Sequence, residues 1–422
     1  MKFSKRTTAA AAAAGAALLL TGCAGGGGNA AQDGVTTINY WSWDGAPGRD
    51  IVEAVIEACE AEHPDIKVNY TELAQTDYKP KAAQSLGAGE EIDVLTVQPG
   101  SWAMEVEDYL LPVSDWSNGD LVGKFGEQSI TQAERNFTDG LLSAVPVYST
   151  GSAVGVYNAD ILAELGLEAP TTWDEFKALS DALAAQGKGI LPVTMPADDW
   201  FQDEMALTFV GQEDPEFFNS VRYDDGSWDS DAYVTGLSNY AAMFENGTFD
   251  AATLDMDYTT AMTAFDEGKS AVVFNGSWEA GRILTGNYGV IPVPAETADK
   301  ASLRAFLDVM LGIPAESTKQ EAAATFIDCM STGAGVDPWA TALKGIPAVS
   351  DYELPEGTLT TELQQQSYDT LVELISNPAS DRNNLGAFSD HVGANVKQVL
   401  FGTMTPEEAA KDAQAEFERG TF

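Results

Sequence analysis

Between residues 35 and 97 the spacing of apolar residues switches back and forth, and this alternation constrains the fold more than any other feature. Residues 35–43 are β-rich and partly alternating, as in a half-buried strand. A helix is expected over about 48–62. Pro64 stops it, because a proline pushes the residue before it away from helical backbone. Residues 66–71 read as a second strand. Residues 92–97 form a short apolar run suited to a strand covered on both faces. Strand, helix, strand, helix, strand in this order implies a parallel sheet flanked by helices.

Later segments continue the mixed pattern. Residues 144–157 are rich in β-branched residues and cross a Gly-Ser pair, which suits a strand passing into a second lobe. Thr172 with Glu175, and Thr405 with Glu408, have the spacing of helix capping boxes, and Pro406 suits the first helical position. Residues 271–275 read as a strand, followed by the small-residue turn Gly276-Ser277-Trp278. A chain of 422 residues is too long for one core, so two lobes are expected.

The N-terminus reads as an export signal. Lys2, Lys5 and Arg6 precede an apolar run over residues 9–20, and Leu20-Thr21-Gly22-Cys23 follows. The run is well short of the ~20 residues a membrane-spanning helix needs. The pattern resembles the lipobox of bacterial lipoproteins, which implies cleavage after Gly22 and diacylglycerol on Cys23. The glycine-rich segment from Ala24 to Gly34 reads as a flexible tether, with a root-mean-square span of roughly 18 Å for ten residues. The net charge is −43, and the leader carries only basic charges, so the exported body is more acidic still. Such a charge argues against nucleic acid and anionic headgroups as partners.

Cys59 and Cys329 each fall on the apolar face of an expected helix. Outside the cell they can form a disulfide or remain two buried thiols; sequence does not supply the distance that decides. His63 and His391 are isolated and no cysteine pair has ligand spacing, so neither a metal nor a cofactor is expected.

Several segments together resemble one family. They are Ile38-Asn39-Tyr40-Trp41-Ser42-Trp43, Glu62-His63-Pro64-Asp65-Ile66, Ile92-Asp93-Val94-Leu95 and Val145-Pro146-Val147-Tyr148. Further along come Val156-Tyr157-Asn158, Ala169-Pro170-Thr171-Thr172-Trp173, Glu267-Gly268-Lys269, Asn275-Gly276-Ser277-Trp278, Lys344-Gly345-Ile346-Pro347-Ala348 and Thr405-Pro406-Glu407-Glu408. Their order and spacing are similar to the extracellular solute-binding proteins that include maltose-binding protein. The resemblance implies a two-lobed α/β, periplasmic-binding-protein-like fold. Each lobe would hold a mainly parallel sheet flanked by helices, with three hinge crossings between lobes. Lobe one would be 35–149 plus 312–346, and lobe two 150–311 plus 347–422. It also implies a monomeric, lipid-anchored receptor that delivers a sugar or oligosaccharide to ABC permease subunits and their ATPase.

A neutral sugar offers apolar C–H faces to aromatic rings and hydroxyl pairs to carboxylates and amides. Trp278 follows a strand in a tight turn, and in the family the tryptophan of that motif stacks on sugar. Glu279 beside it suits hydroxyls, or serves as a first-turn acid. Trp43 and Asp44 end the first strand, and Gln98 ends the third, where crevices form; Trp102 follows. Trp200 lies in a loop matched in the family by stacking aromatics, and Trp339 precedes the third crossing. Asp390, with Ser389, occupies a position where maltose-binding protein has an aromatic contact, so the resemblance implies one sugar subsite that is polar or missing and does not by itself carry maltose specificity over. Tyr40 is expected in the core, and Trp173 at the start of its helix. The acidic stretch 224–231 lacks EF-hand spacing and reads as a solvated loop.

A glycosidase would also combine tryptophans with paired carboxylates, but 65 acidic residues make chance pairs inevitable. No Gly-x-Ser-x-Gly, His-Glu-x-x-His or phosphate loop occurs. The expectation is a binding protein and not an enzyme. The alternatives are a receptor for a non-sugar solute and a surface sensory or adhesion lipoprotein on the same fold.

Overall fold

The computed structural model describes residues 34–44, 48–117, 119–138, 140–376, 380–381 and 385–420. The expected signal peptide, Cys23 and the tether up to residue 33 lie outside the described residues. The first lobe opens with β1 (Thr36–Trp43), α1 (Arg49–Glu62), β2 (Ile66–Leu73), α2 (Gln75–Gly87) and β3 (Val94–Val97). Three short helices follow, α3 (Ser101–Val106), α4 (Val113–Trp116) and α5 (Glu127–Glu134), and lead into β4 (Val145–Ser152).

The chain then enters the second lobe through β5 (Val154–Asn158), α6 (Ala159–Leu165), α7 (Trp173–Gln186), β6 (Leu191–Thr194) and α8 (Asp199–Glu213). Next come α9 (Phe217–Tyr223), α10 (Asp231–Glu245), α11 (Tyr258–Asp266), β7 (Ser270–Asn275) and β8 (Tyr288–Ile291). β9 (Arg304–Gly312) returns to the first lobe, where α12 (Gln320–Thr332), α13 (Val336–Thr341) and β10 (Ile346–Pro347) follow. The chain ends with α14 (Glu362–Ser376), β11 (Ser380–Asp381), α15 (Ala387–Leu400) and α16 (Pro406–Phe417).

Both sheets are mixed, which corrects the expectation of mainly parallel ones. One runs β10-β4-β9-β3-β1-β2 with β11 on β9; the other runs β6-β7-β5-β8. The expected β-α-β-α-β unit is parallel, β1 pairing with β2 from Thr36 opposite Ile66 to Trp43 opposite Leu73, and with β3 at Tyr40 and Trp41. The antiparallel pairs involve strands that cross between lobes. β9 comes back from the second lobe and lies antiparallel to both β3 and β4. β5 continues from β4 and pairs antiparallel with β7 and β8.

The single strand expected over 144–157 is interrupted at Ala153. This buried alanine has φ +58°, a left-handed conformation costly for a residue with a Cβ, and ladders on both sides hold it there. β4 thereby leaves one sheet and β5 joins the other. Behind this junction Ser152 Oγ donates to Glu204 Oε2 at 2.8 Å, and Arg304 Nη1 lies 3.2 Å from the same oxygen. Arg304 and Glu204 are both 1% exposed, and the guanidinium sits 4.8 Å above the Phe218 ring. One buried ion pair therefore joins the end of β4, the start of β9 and α8.

Two large cores follow the two sheets. The first gathers Ile38, Tyr40, Val94, Leu311, Phe326 and Trp339; the second gathers Phe176, Phe209, Tyr240, Phe274 and Val396. Ala348 packs with the first core, and the Phe125–Val349 bridge ties the segment after β10 to the same lobe. Both capping boxes form, Thr172 with Glu175 and Thr405 with Glu408. Trp173 donates its indole N–H to Pro294 O at 3.0 Å, fixing the start of α7. The acidic stretch 224–231 is anchored by Trp228, which is buried against Phe217, Tyr233 and Phe388. Cys59 and Cys329 form a disulfide, with Cα atoms 5.8 Å apart, that ties α1 to α12. No helix among the described residues is long and apolar enough to cross a membrane.

Candidate functional site

A cleft of about 700 Å³ draws its walls from both lobes and its floor from β9. The first wall begins where β1 ends. Trp43 is 2% exposed, its indole held edge-on by Trp102 at 5.1 Å and flanked by Tyr78 at 5.6 Å. The Tyr78 hydroxyl bonds to Thr96 O at 2.7 Å, and burial pushes its pKa well up, so it stays a neutral donor. The start of α2 adds Gln75, Thr76, Lys79 and Pro80. Lys79 Nζ is held by Ser101 Oγ at 3.1 Å and by Glu105 at 2.9 Å, so its charge is partnered.

The second wall is built on the turn after β7. Trp278 Nε1 donates to Tyr258 Oη at 3.2 Å, and Tyr258 donates to Glu279 Oε1 at 2.6 Å. Arg282 Nε holds the other Glu279 oxygen at 2.8 Å and pairs with Asp266. Burial, and then Glu279, raise the Tyr258 pKa, so its hydroxyl keeps its proton. Trp200, in the first turn of α8, lies 6.3 Å from Trp278 with the rings tilted by 41°. Asp198 accepts from Tyr258 N at 2.9 Å and locks the starts of α8 and α11 together. Ser277 Oγ accepts from Gly151 N at 2.9 Å, so this turn is tied directly to β4.

The floor carries Phe306 and Asp308. Gln98 Nε2 donates to Asp308 Oδ1 at 2.7 Å, joining the end of β3 to the crossing strand. Indole faces, amides, hydroxyls and a largely buried carboxylate thus meet in one space. That set can cover apolar ring faces and exchange hydrogen bonds with hydroxyls.

Of the residues singled out in the sequence, Trp43, Gln98, Trp200 and Trp278 line this cleft, as does Trp102. Asp44 is exposed at its edge, where its carboxylate accepts from Gln75 N at 3.1 Å and caps α2. Glu279 stands behind Tyr258, with both oxygens committed to Tyr258 and Arg282. Two expectations are corrected. Trp339 is 0% exposed, its ring 4.7 Å from Tyr148 inside the first core, because α13 turns Val336, Trp339 and Ala340 inward. Asp390 lies on the exposed side of α15, outside the cleft lining, since Phe388, Ser389 and Val392 take the buried side. Its carboxyl is raised by partial burial and by Asp199.

Sequence reasoning missed Gln75, Thr76, Lys79, Pro80, Tyr258, Phe306 and Asp308. Asp257-Tyr258-Thr259-Thr260 carried a helix-start signal, and the Asp257 side chain does accept from Thr260 N at 2.8 Å. Asp308, a carboxylate set between Leu307 and Val309, is the signal for the floor.

A family profile described as bacterial extracellular solute-binding protein matches residues 42–336. A maltotriose-binding protein of Pyrococcus abyssi is 23% identical over 249 residues, covering 58% of this chain and 50% of that protein. A xylose/arabinose-binding protein of Haloferax volcanii is 26% identical over 251 residues, covering 57% and 52%. The chain thus spans about half the length of the curated relatives it matches. An ABC substrate-binding protein of Listeria monocytogenes, solved in complex with cycloalternan, has a TM-score of 0.73 at 20% identity, covering 92% of this chain and 99% of that one. This last likeness is one of fold. With well over half of its length matched by the family profile, the chain belongs to the bacterial extracellular solute-binding proteins.

Proposed function

We propose that this chain is the binding component of an ABC importer and captures an oligosaccharide in the cleft between Trp43 and Trp278. The observation that carries the reading is the gathering of four indole rings from two lobes in one cleft. The relatives named for maltotriose and for xylose/arabinose, and the neighbour holding cycloalternan, point to the same ligand class. Trp200 and Trp278 cover sugar faces on one side, Trp43 and Trp102 on the other. Gln98, Asp308, Thr76 and Gln75 take hydroxyls.

The lobes are 35–152 with 304–354, and 153–303 with 355–420, since β4 and β9 pair in the first sheet along their whole length. The second boundary is set after residue 354 because Ala348, Val349, Tyr352 and Leu354 pack against the first core. Ala153, β9 and the segment after β10 form the hinge. Sugar adsorbs on one lobe, and contacts with the other favour closure, which only differential affinity for the closed form can drive. The closed receptor, monomeric and held to the membrane by lipid on Cys23, presents the sugar to the permease. It performs no catalysis; Tyr258, Glu279 and Arg282 hold one another in place.

A thermal-shift screen against mono- and oligosaccharides tests this reading. A native-state ligand raises the melting temperature by mass action. A shift that grows with chain length and then levels is expected. Folded protein that responds to no sugar, and does respond to amino acids, polyols or peptides, would replace the ligand class.

A further inference from the structure

Outside the cleft lining, one cluster of metal-ligating side chains takes no part in solute capture. α1 and α12 both end beside the Cys59–Cys329 disulfide. The negative ends of two helix dipoles therefore converge there, a setting that favours a cation. Glu62 closes α1 and His63 follows it. One ligand atom each from Glu62, His63 and Cys329 lie within 4.8 Å of one another. Glu62 Oε2 sits 3.7 Å from Cys329 Sγ and is steadied by Ala334 N at 3.3 Å. Cys59 Sγ stands outside this group of three and is joined to it through its bond to Cys329.

Two sulfurs, an imidazole and a carboxylate are donors that zinc takes in tetrahedral geometry. Bonds of ~2.0–2.3 Å place tetrahedral ligand atoms roughly 3.3–3.8 Å apart, so Glu62, His63 and Cys329 have to draw together by about 1 Å while the two sulfurs move apart. While the sulfurs are bonded to each other they are not thiolates, and the thiolate is the metal ligand. Backbone sheathes them on one side, where a Cβ on Gly335 would come within 2.9 Å of Cys59 Sγ. Glu62 is exposed and His63 half-exposed on the other side, leaving a route for an ion.

We propose that reduction of the Cys59–Cys329 disulfide converts this cluster into a zinc site with Cys59, Cys329, His63 and Glu62 as ligands. An external dithiol supplies two electrons and two protons. The S–S bond breaks, the dithiol closes to its own disulfide, and two cysteine thiols form. Zinc(II) then displaces both thiol protons to solvent and gains two sulfur ligands without further electron transfer. The metal holds α1 to α12 where the covalent bond held them. None of this depends on which solute the cleft takes.

The test uses the full chain, oxidised or reduced with a dithiol that is then removed without air. Zinc is titrated by calorimetry, and cobalt(II) is added as a spectroscopic probe. The reduced chain should bind one zinc at least about tenfold more tightly than the oxidised chain. Cobalt should show thiolate charge-transfer absorption. His63→Ala and Glu62→Gln should each lower zinc affinity by at least about tenfold, with the circular dichroism spectrum retained. If the reduced chain unfolds, zinc should restore its helical signal. Equal zinc binding by both forms would overturn the proposal. So would cobalt spectra without thiolate absorption, unchanged affinity in both variants, or a reduced unfolded chain that zinc does not refold.

Discussion

Gly276 lies directly beneath the indole of Trp278: a Cβ at Gly276 would come within 2.1 Å of the ring. The backbone there has φ −86°, which alanine adopts freely, so the glycine is required by the ring above it and not by the turn. Gly276→Ala should therefore displace Trp278 from its bond to Tyr258 while leaving the fold intact. Sugar affinity should fall nearly as far as in Trp278→Ala, by about 1–3 kcal/mol if base–aromatic stacking losses serve as a guide. Calorimetric affinity equal to wild type in Gly276→Ala would show that the ring position does not matter.

That relation also marks how far the sequence was readable. The Asn275-Gly276-Ser277-Trp278 turn pointed to a projecting ring because the glycine, the small residues and the preceding strand are local signals. Trp339 precedes the third crossing in the chain, and that position alone does not place its ring. Its spacing from Val336 and Ala340, three residues and one, already describes the inward face of a helix. Phe306 and Asp308 were invisible to periodicity, since all nine residues of β9 are buried and no polar alternation remains. Whether Cys59 and Cys329 meet depends on a distance across 270 residues, which local pattern cannot carry. The parallel β1–β2–β3 unit was legible; the antiparallel crossings were not, because strand direction on return is set by the other lobe.

The Arg304–Glu204 pair should be the most sensitive polar contact in the hinge. Glu204→Ala takes a buried carboxylate away from the Arg304 guanidinium, and removing one partner of such a pair costs about 3–5 kcal/mol. Chemical denaturation should show a loss of that size. The double change Arg304→Met, Glu204→Leu should lose less, because both charges of the pair are removed together. Equal losses in the two would mean that the effect is packing and not charge.

Removing the disulfide should cost stability without touching the cleft. The double variant Cys59→Ser, Cys329→Ser, measured with a chelator present, should be less stable by about 2–5 kcal/mol. Its sugar affinity at room temperature should stay unchanged, since neither cysteine lines the cleft. Denaturation curves superimposing on those of the oxidised wild type would contradict this.

Acid should loosen the second lobe through the Thr172–Glu175 capping box. Glu175 accepts first from Thr171 N and also from Thr172 N, which lowers its carboxyl below the ordinary 4.5. Folding therefore favours the ionised form. The contribution is complete above about pH 4.5 and is lost as pH falls through the lowered folded value. Between pH 6 and pH 3 the melting temperature of wild type should fall more steeply than that of Glu175→Gln. Parallel profiles would remove this carboxylate from the acid response.

The most direct measurement is calorimetric titration of linear oligosaccharides of increasing length into wild type and into Trp278→Ala. Affinity in wild type should rise with length until the cleft is filled and then level, with a common loss for every sugar in the variant. Absence of heat with any sugar, or identical affinities in the two proteins, would contradict capture of an oligosaccharide between these tryptophans.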